Sequence, residues 1–230
     1  MKFSGFQKLT LLDYPEKTAC TLFTAGCNFR CPFCHNAALV THIDNTNFFT
    51  EEYVLEYLKK RKGIIDGVCI TGGEPLMHND LPEFIQKVKE LGFLVKLDTN
   101  GSYPERLASL IESGDIDYVA MDIKNSKEKY TTTADCNEEL LKRVEKSVEI
   151  LKTGKVDYEF RTTVVKEYHD VDDIKKIAEW IAPAEKYFLQ NFIDSGDLIK
   201  NNLSAHPCET LELMRDKAQD IISKVEIRGI

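Results

Sequence analysis

Residues 18–35 read Thr-Ala-Cys-Thr-Leu-Phe-Thr-Ala-Gly-Cys-Asn-Phe-Arg-Cys-Pro-Phe-Cys-His. The first part, Thr18–Phe23, is a β-branched and apolar run with the composition of a buried strand. Immediately after it, Cys27-x3-Cys31-x2-Cys34 sets three of the chain's seven cysteines within eight residues. Chance placement of seven cysteines gives roughly 0.006 expected occurrences of that spacing. A strand that runs straight into a thiol-rich loop points to soft-metal ligation at a strand end.

Further strand-like runs lie at Gly67–Thr71, Leu94–Asp98, Tyr118–Asp122, Tyr158–Val164 and Tyr187–Gln190, with a short one at Lys224–Ile227. Amphipathic stretches separate them: Thr50–Lys62, Leu81–Leu91, Tyr103–Glu112, Asn137–Thr153, Val171–Ile181 and Glu209–Ser223. Thr50 before Glu51-Glu52 reads as an N-cap with acids in the first turn. Alternating strands and helices predict an α/β fold with a parallel sheet and crossover helices. Six such units suit an open doubly wound sheet or an incomplete (β/α)6 barrel of parallel strands, a partial TIM barrel. No repeat or linker divides residues 1–230, which read as one domain.

The chain has 230 residues, 43% of them hydrophobic, and a net charge of −8. That composition buries a proper core and excludes global disorder. The acidic balance argues against nucleic-acid binding through a broad electrostatic field. No apolar run reaches the roughly 18–20 residues of a membrane helix, and Met1–Phe6 has no apolar signal core, so a cytoplasmic location is expected. An odd number of cysteines excludes a complete disulfide framework. Cys20 and Cys69 sit within apolar strands and read as buried small hydrophobes; Cys136 and Cys208 read as free thiols. His42, His78, His169 and His206 stand alone and read as solvated or helix-flanking.

In parallel α/β folds chemistry gathers where strands end. After the strands come Gly72-Gly73-Glu74-Pro75, Asp98-Thr99-Asn100-Gly101, Asp122-Ile123-Lys124 and Gln190-Asn191, with Arg161 inside the fifth run. Each has a bland reading as a turn, an ion pair or a polar strand end. Their recurrence after nearly every strand predicts one site built by converging loops. Three cysteines suit an iron–sulfur cube with one iron left open, or a zinc ion that recruits His35 as a fourth ligand. Adjacent Cys34 and His35 are awkward partners on one tetrahedral ion, and no second CxxC knuckle exists.

The cysteine motif, with Phe33 before its third cysteine, resembles the signature of radical S-adenosylmethionine enzymes, and Gly72-Gly73-Glu74-Pro75 resembles that superfamily's second motif. Gly5–Lys8, Asp13-Tyr14-Pro15, Cys27–Asn36, Leu97–Gly101 and Met121–Lys124 together resemble the activating enzymes of glycyl radical enzymes, and most of all the compact activases of anaerobic ribonucleoside-triphosphate reductase. The likeness runs from about residue 5 to about residue 195. It implies one [4Fe–4S] cluster on Cys27, Cys31 and Cys34, with S-adenosylmethionine on the open iron. Reductive cleavage would then give a 5′-deoxyadenosyl radical that takes hydrogen from a glycine of a partner glycyl radical enzyme, with flavodoxin or ferredoxin as electron donor.

With the resemblance, Gly72 and Gly73 let the backbone approach the ligand, and Glu74 or a neighbour such as Pro75 accepts from the methionine ammonium. Asp98, Thr99, Asn100 and Asp122 meet the ammonium, the ribose hydroxyls or a monovalent cation near Asp98 and Asp122. Lys124 holds the methionine carboxylate. Phe33 lies against the adenine, His35 positions the ligand, and Arg161 and Gln190 line the site. Competing functions are a small-molecule radical enzyme of the 7-carboxy-7-deazaguanine synthase type and, in another class, an iron–sulfur electron carrier or a zinc-binding module. Short βα loops and a laterally open site favour a macromolecular substrate.

Overall fold

A computed structural model describes residues 1–43, 46–194 and 196–229. The chain forms β1 (Lys2–Phe3), β2 (Gly5–Thr10), β3 (Ala19–Thr24), α1 (Ala37–Thr41), β4 (Phe49–Thr50), α2 (Glu51–Arg61), β5 (Gly67–Gly72), α3 (Leu81–Glu90), β6 (Leu94–Thr99) and α4 (Pro104–Glu112). There follow β7 (Tyr118–Asp122), α5 (Lys127–Ala134), α6 (Glu138–Lys152), β8 (Asp157–Val164), α7 (Val171–Ile181), β9 (Lys186–Asn191), α8 (Cys208–Gln219) and β10 (Lys224–Arg228).

The main sheet has eight strands in the order β2-β3-β5-β6-β7-β8-β9-β10, all parallel except β2, which pairs antiparallel with β3. β1 and β4 form a separate two-stranded ladder. The six main strand-like runs and the short one at Lys224–Ile227 all join the main sheet as parallel strands, and β2 adds an edge that was not expected. Strand order follows chain order throughout. A doubly wound sheet reverses direction at a switch point, and this sheet does not. With right-handed crossovers, one-way winding puts every connecting helix on the same face.

The two faces of the sheet differ accordingly. Cys20, Leu22, Val68, Ile70, Val95, Leu97, Val119, Met121 and Phe160 enter the apolar core with the helices. The alternating positions Thr21, Cys69, Lys96, Asp98, Asp122, Glu159 and Arg161 carry polar groups to the other face. Cys69 is buried as expected but lies on this polar face, 3.8 Å from Lys96 Nζ. Asp13-Tyr14-Pro15 explains itself at the strands' N-terminal end. Thr21 Oγ1 donates to Asp13 at 2.5 Å, while the Tyr14 ring packs against Tyr118 and Ala19. Thr50 caps α2 by accepting from the Tyr53 amide at 3.2 Å.

Candidate functional site

The loop from Ala25 to Asn36 leaves the end of β3 and is fastened on several sides. The Gly26 amide donates to Leu39 O at 2.8 Å, and the Glu74 amide donates to Gly26 O at 2.8 Å. The Asn36 side-chain amide donates to Gly72 O at 3.0 Å. From the β6–α4 loop, Ser102 Oγ accepts from the Asn28 side-chain amide at 2.9 Å. The Arg30 amide donates to Ala134 O at the end of α5, 3.2 Å, and the Lys200 amide donates to Pro32 O at 2.9 Å. This fastening sets Cys27, Cys31 and Cys34 around one cavity at the C-terminal end of the sheet.

The cavity wall holds most of the groups expected to meet there: Phe33, His35, Gly72, Gly73, Asp98, Thr99, Asn100, Asp122, Lys124, Arg161 and Gln190. Two do not reach it. Pro75 opens a 3-10 turn behind the cavity. Glu74 is fully buried and turned into the protein, where its carboxylate accepts from Thr99 Oγ1 at 2.8 Å, the Asn100 amide at 2.7 Å and the Leu76 amide at 3.0 Å. Burial pushes this carboxyl up to about 7 against the pull of those donors. Glu74 therefore ties the end of β5 to the end of β6 instead of offering an acceptor to a ligand.

The two glycines also have a different reason from the one expected. A Cβ on Gly73 would lie 1.9 Å from Gly26 O, and one on Gly72 would lie 2.5 Å from Thr24 N and Thr24 O. Gly72 has φ +112°, which side chains rarely adopt. The pair lets the cysteine loop pack directly on the end of β5. Gly73→Ala is expected to lose about 3 kcal/mol, since backbone must move on both sides of the contact. Urea unfolding of the metal-free protein measures it, and an unchanged midpoint would contradict this packing role.

Opposite the thiols runs a row of alternating charges. Lys96 bonds Asp98; Asp98 accepts from Arg161 at 3.1 Å; Arg161 Nε donates to Asp122 at 2.9 Å; Lys124 Nζ donates to Asp122 at 3.0 Å. The guanidinium of Arg161 thus stands between the two carboxylates where a monovalent cation was expected. Burial opposes ionisation of Asp122, yet Arg161 and Lys124 outweigh it and hold the carboxyl well below the usual range. Burial likewise opposes charge on Asp98, and Arg161 and Lys96 outweigh it.

Burial pushes the Cys31 thiol up to about 12 and raises Cys27 and Cys34, while Lys124 acts on all three in the opposite sense. Three such thiols become ligands only by giving up their protons to solvent as a metal binds. Among the described residues no three His, Cys, Asp or Glu side chains converge on a single ion. His35 stacks on Phe192 with ring centroids 5.8 Å apart, and burial lowers its pKa.

Asn100, expected at the ligand, also reaches a thiol, while Asn28 and His169 escaped the sequence reading. Asn100 Nδ2 lies 3.6 Å from Cys27 Sγ and donates to Asn28 Oδ1 at 3.0 Å. His169, expected to be solvated or helix-flanking, is 2% exposed. It pins the Lys124 carbonyl at 2.8 Å, takes the Val165 amide at 3.1 Å, and packs edge-on against Phe33. The βα loops are not uniformly short either. The β7–α6 connection contains α5, and residues 192–207 separate β9 from α8 and contact the cysteine loop through Lys200.

Comparison with known proteins fits this geometry. The family model described as the radical SAM superfamily matches residues 21–181. A Methanocaldococcus jannaschii protein bearing the name of a glycyl-radical enzyme activating enzyme is 35% identical over 82% of this chain and 79% of its own. GTP 3′,8-cyclase of Helicobacter pylori is 32% identical over 68% of this chain and 49% of its own. Among solved structures, Streptococcus suis SuiB bound to S-adenosylmethionine superposes with a TM-score of 0.70 at 16% identity, over 90% of this chain and 49% of that one. At that identity the likeness concerns the fold alone.

Proposed function

Because the chain belongs to the radical SAM superfamily, we propose that it holds one [4Fe–4S] cluster on Cys27, Cys31 and Cys34, binds S-adenosylmethionine beside it, and activates a partner glycyl radical enzyme. The observation that carries this reading is that the Cys27, Cys31 and Cys34 thiols and a charged row line one cavity at the strand ends. The donor set fits the group: three thiols from one firmly fastened loop, an all-sulfur soft set. The cluster and S-adenosylmethionine together supply one-electron reduction and a carbon-centred radical.

The chain's own residues bind and orient. Lys124 offers a cation to the methionine carboxylate while its charge offsets the thiolates. Asp98 and Asp122, already held by Arg161, offer their remaining lone pairs to the methionine ammonium or the ribose hydroxyls. Gln190, Thr99 and Asn100 supply neutral hydrogen bonds, and Phe33 an apolar wall for adenine. The same reading bends the one-way sheet into an incomplete barrel spanning residues 1–230, in a cytoplasmic enzyme served by flavodoxin or ferredoxin.

The favoured partner is anaerobic ribonucleoside-triphosphate reductase. A second reading, a small-molecule radical enzyme, draws on the GTP 3′,8-cyclase relative and on the contact of the Lys200 backbone with the cysteine loop. One experiment separates them. Anaerobically reconstituted, reduced protein is incubated with S-adenosylmethionine and either co-encoded candidate reductases or GTP. The expected result is release of 5′-deoxyadenosine with a glycyl radical EPR signal on the reductase. Turnover of GTP with no protein radical would replace the activase reading.

A further inference from the structure

Asn100 follows β6, lines the cysteine cavity and is buried. The Ser102 backbone amide donates to Asn100 Oδ1 at 2.9 Å, and Ser102 Oγ donates to the same oxygen at 2.6 Å. A backbone amide can only donate, so the atom facing it is the side-chain oxygen. The side-chain nitrogen is thereby turned the other way, into the cysteine loop. There Nδ2 donates to Asn28 Oδ1 at 3.0 Å and to Cys27 Sγ at 3.6 Å. Asn28 closes the ring by donating to Ser102 Oγ at 2.9 Å. The Asn100 side chain is then saturated, with two bonds accepted and two donated. Its backbone amide is held as well, by Glu74 at 2.7 Å. Any bond from Asn100 to a ligand therefore falls to its backbone carbonyl.

The sulfur at the end of this chain of bonds differs from that of Cys31. Cys27 Sγ also receives the Phe29 amide at 3.4 Å, so two N–H groups converge on it. Cys31 Sγ instead donates, to the Ala134 carbonyl at 3.9 Å. Among the described residues, Cys27 is the thiol of the three that meets a side-chain amide. Two converging donors suit an anionic acceptor far better than a neutral thiol. A metal-bound thiolate is such an acceptor, and partners of this kind orient and tune metal ligands.

We propose that the Asn100 side-chain amide is a fixed hydrogen-bond donor to the Cys27 thiolate of the metal centre, aimed there by Ser102 and Asn28. This rests on the cluster reading above. Hydrogen bonds to cluster sulfurs help set reduction potential. A donor favours the more negative, reduced state, so Asn100 raises the potential and eases uptake of the one electron that a reductant supplies. No proton moves. Asn100 is a positioning residue that acts through Cys27 and takes no part in bond breaking.

The test compares wild type, Asn100→Ala, Asn100→Asp and Ser102→Ala, each reconstituted anaerobically and titrated with a chemical reductant while EPR follows the reduced cluster. S-adenosylmethionine is left out, so that no ligand contact enters the result. In Asn100→Ala the ratio of reduced to oxidised cluster at a fixed potential is expected to fall about tenfold, about 59 mV for a one-electron couple. Ser102→Ala loosens the same ring but leaves the donor and the backbone amide that orients it, and is expected to keep the wild-type midpoint. Pulsed EPR gives a second readout that a purely structural tie would not move. With the side-chain nitrogen of asparagine isotopically labelled, the reduced wild-type cluster is expected to show a nitrogen coupling that Ser102→Ala keeps. Asn100→Asp retains the acceptor for Ser102 and replaces only the donor, and it is expected to lose that coupling. This arm decides the matter where Asn100→Ala fails to hold a cluster. An unchanged midpoint in Asn100→Ala, an equal shift in Ser102→Ala, or a nitrogen coupling that is absent from wild type or survives in Asn100→Asp would each overturn the assignment while leaving the cluster reading intact. A wild-type chain that assembles no cluster would overturn both.

Discussion

Cys31→Ala protein, reconstituted beside wild type, is expected to lose its visible iron–sulfur absorbance and to cleave S-adenosylmethionine only at background, while melting within a few degrees of the metal-free parent. The two halves of this result come from different parts of the residue. The fold uses little of the side chain. The turn at this point is carried by the Cys34 amide on the Cys31 carbonyl, 3.0 Å, which alanine keeps. The sulfur donates only weakly, to the Ala134 carbonyl at the long distance of 3.9 Å. Deleting one small buried group costs about 1 kcal/mol. The site, in contrast, loses one of three ligands from a set with none to spare. Even the loss of an outer-shell partner costs roughly 10–100-fold in metal affinity or activity, and removal of a ligand should exceed that. Cys208→Ala, which alters an exposed thiol, serves as the control and is expected to keep full iron content. Iron and sulfide per chain, with thermal unfolding of the metal-free proteins, make the comparison. A Cys31→Ala protein that retained its iron would remove this cysteine from the ligand set.

Much of this architecture is legible in the sequence because parallel strands buried on both faces read as dense apolar runs. β7 is found at Tyr118–Asp122 as expected, and β3 is displaced by one residue from the run beginning at Thr18. The rule that chemistry follows strand ends brought most of the candidate residues to one cavity. What failed is equally physical. α5 has the sequence Lys-Glu-Lys-Tyr-Thr-Thr-Thr-Ala, and three threonines give it poor intrinsic helix propensity. Tertiary burial of Tyr130, Thr133 and Ala134 makes it a helix. β2 is an edge strand whose Gln7, Lys8 and Leu9 are all exposed, so it has no apolar face to read. The direction of Glu74 is invisible in a motif, because it depends on donors that arrive from β6. For the same reason His169 looked solitary: its partners, Lys124 and Val165, become neighbours only through the packing of two strand ends.

Arg161 concentrates the same lesson and carries the largest expected stability effect. Register places it directly beside Asp122 on the neighbouring strand, and its second nitrogen reaches across to Asp98. Strand register decides that bridge, and composition does not reveal it. Replacing Arg161 with methionine keeps much of the apolar stem but takes one cation from the row. Asp98 then keeps Lys96, and Asp122 keeps Lys124, yet both carboxylates lose a direct bond to a cation that is only 12% exposed. Breaking a buried ion network on one side costs about 3–5 kcal/mol. The pH dependence follows from the sign of the shifts. In the wild type the folded Asp98 and Asp122 are held below their unfolded values, so their contribution is fully present above pH ~3.9 and is lost as pH falls toward the folded values. Without Arg161, burial regains weight and both carboxyls shift upward. The deficit of Arg161→Met relative to wild type is therefore expected to be greatest near neutrality and to shrink as both proteins are acidified below about pH 4. Adding Asp122→Asn should recover part of the loss, because it removes the charge left without its partner, and the two changes should couple by at least about 1 kcal/mol. Urea titrations at pH 7 and at successively lower pH measure both effects. A deficit that stayed constant with pH, or two substitutions that simply added, would mean that the row of charges is a solvated surface feature and does not hold the ends of β6, β7 and β8 in place.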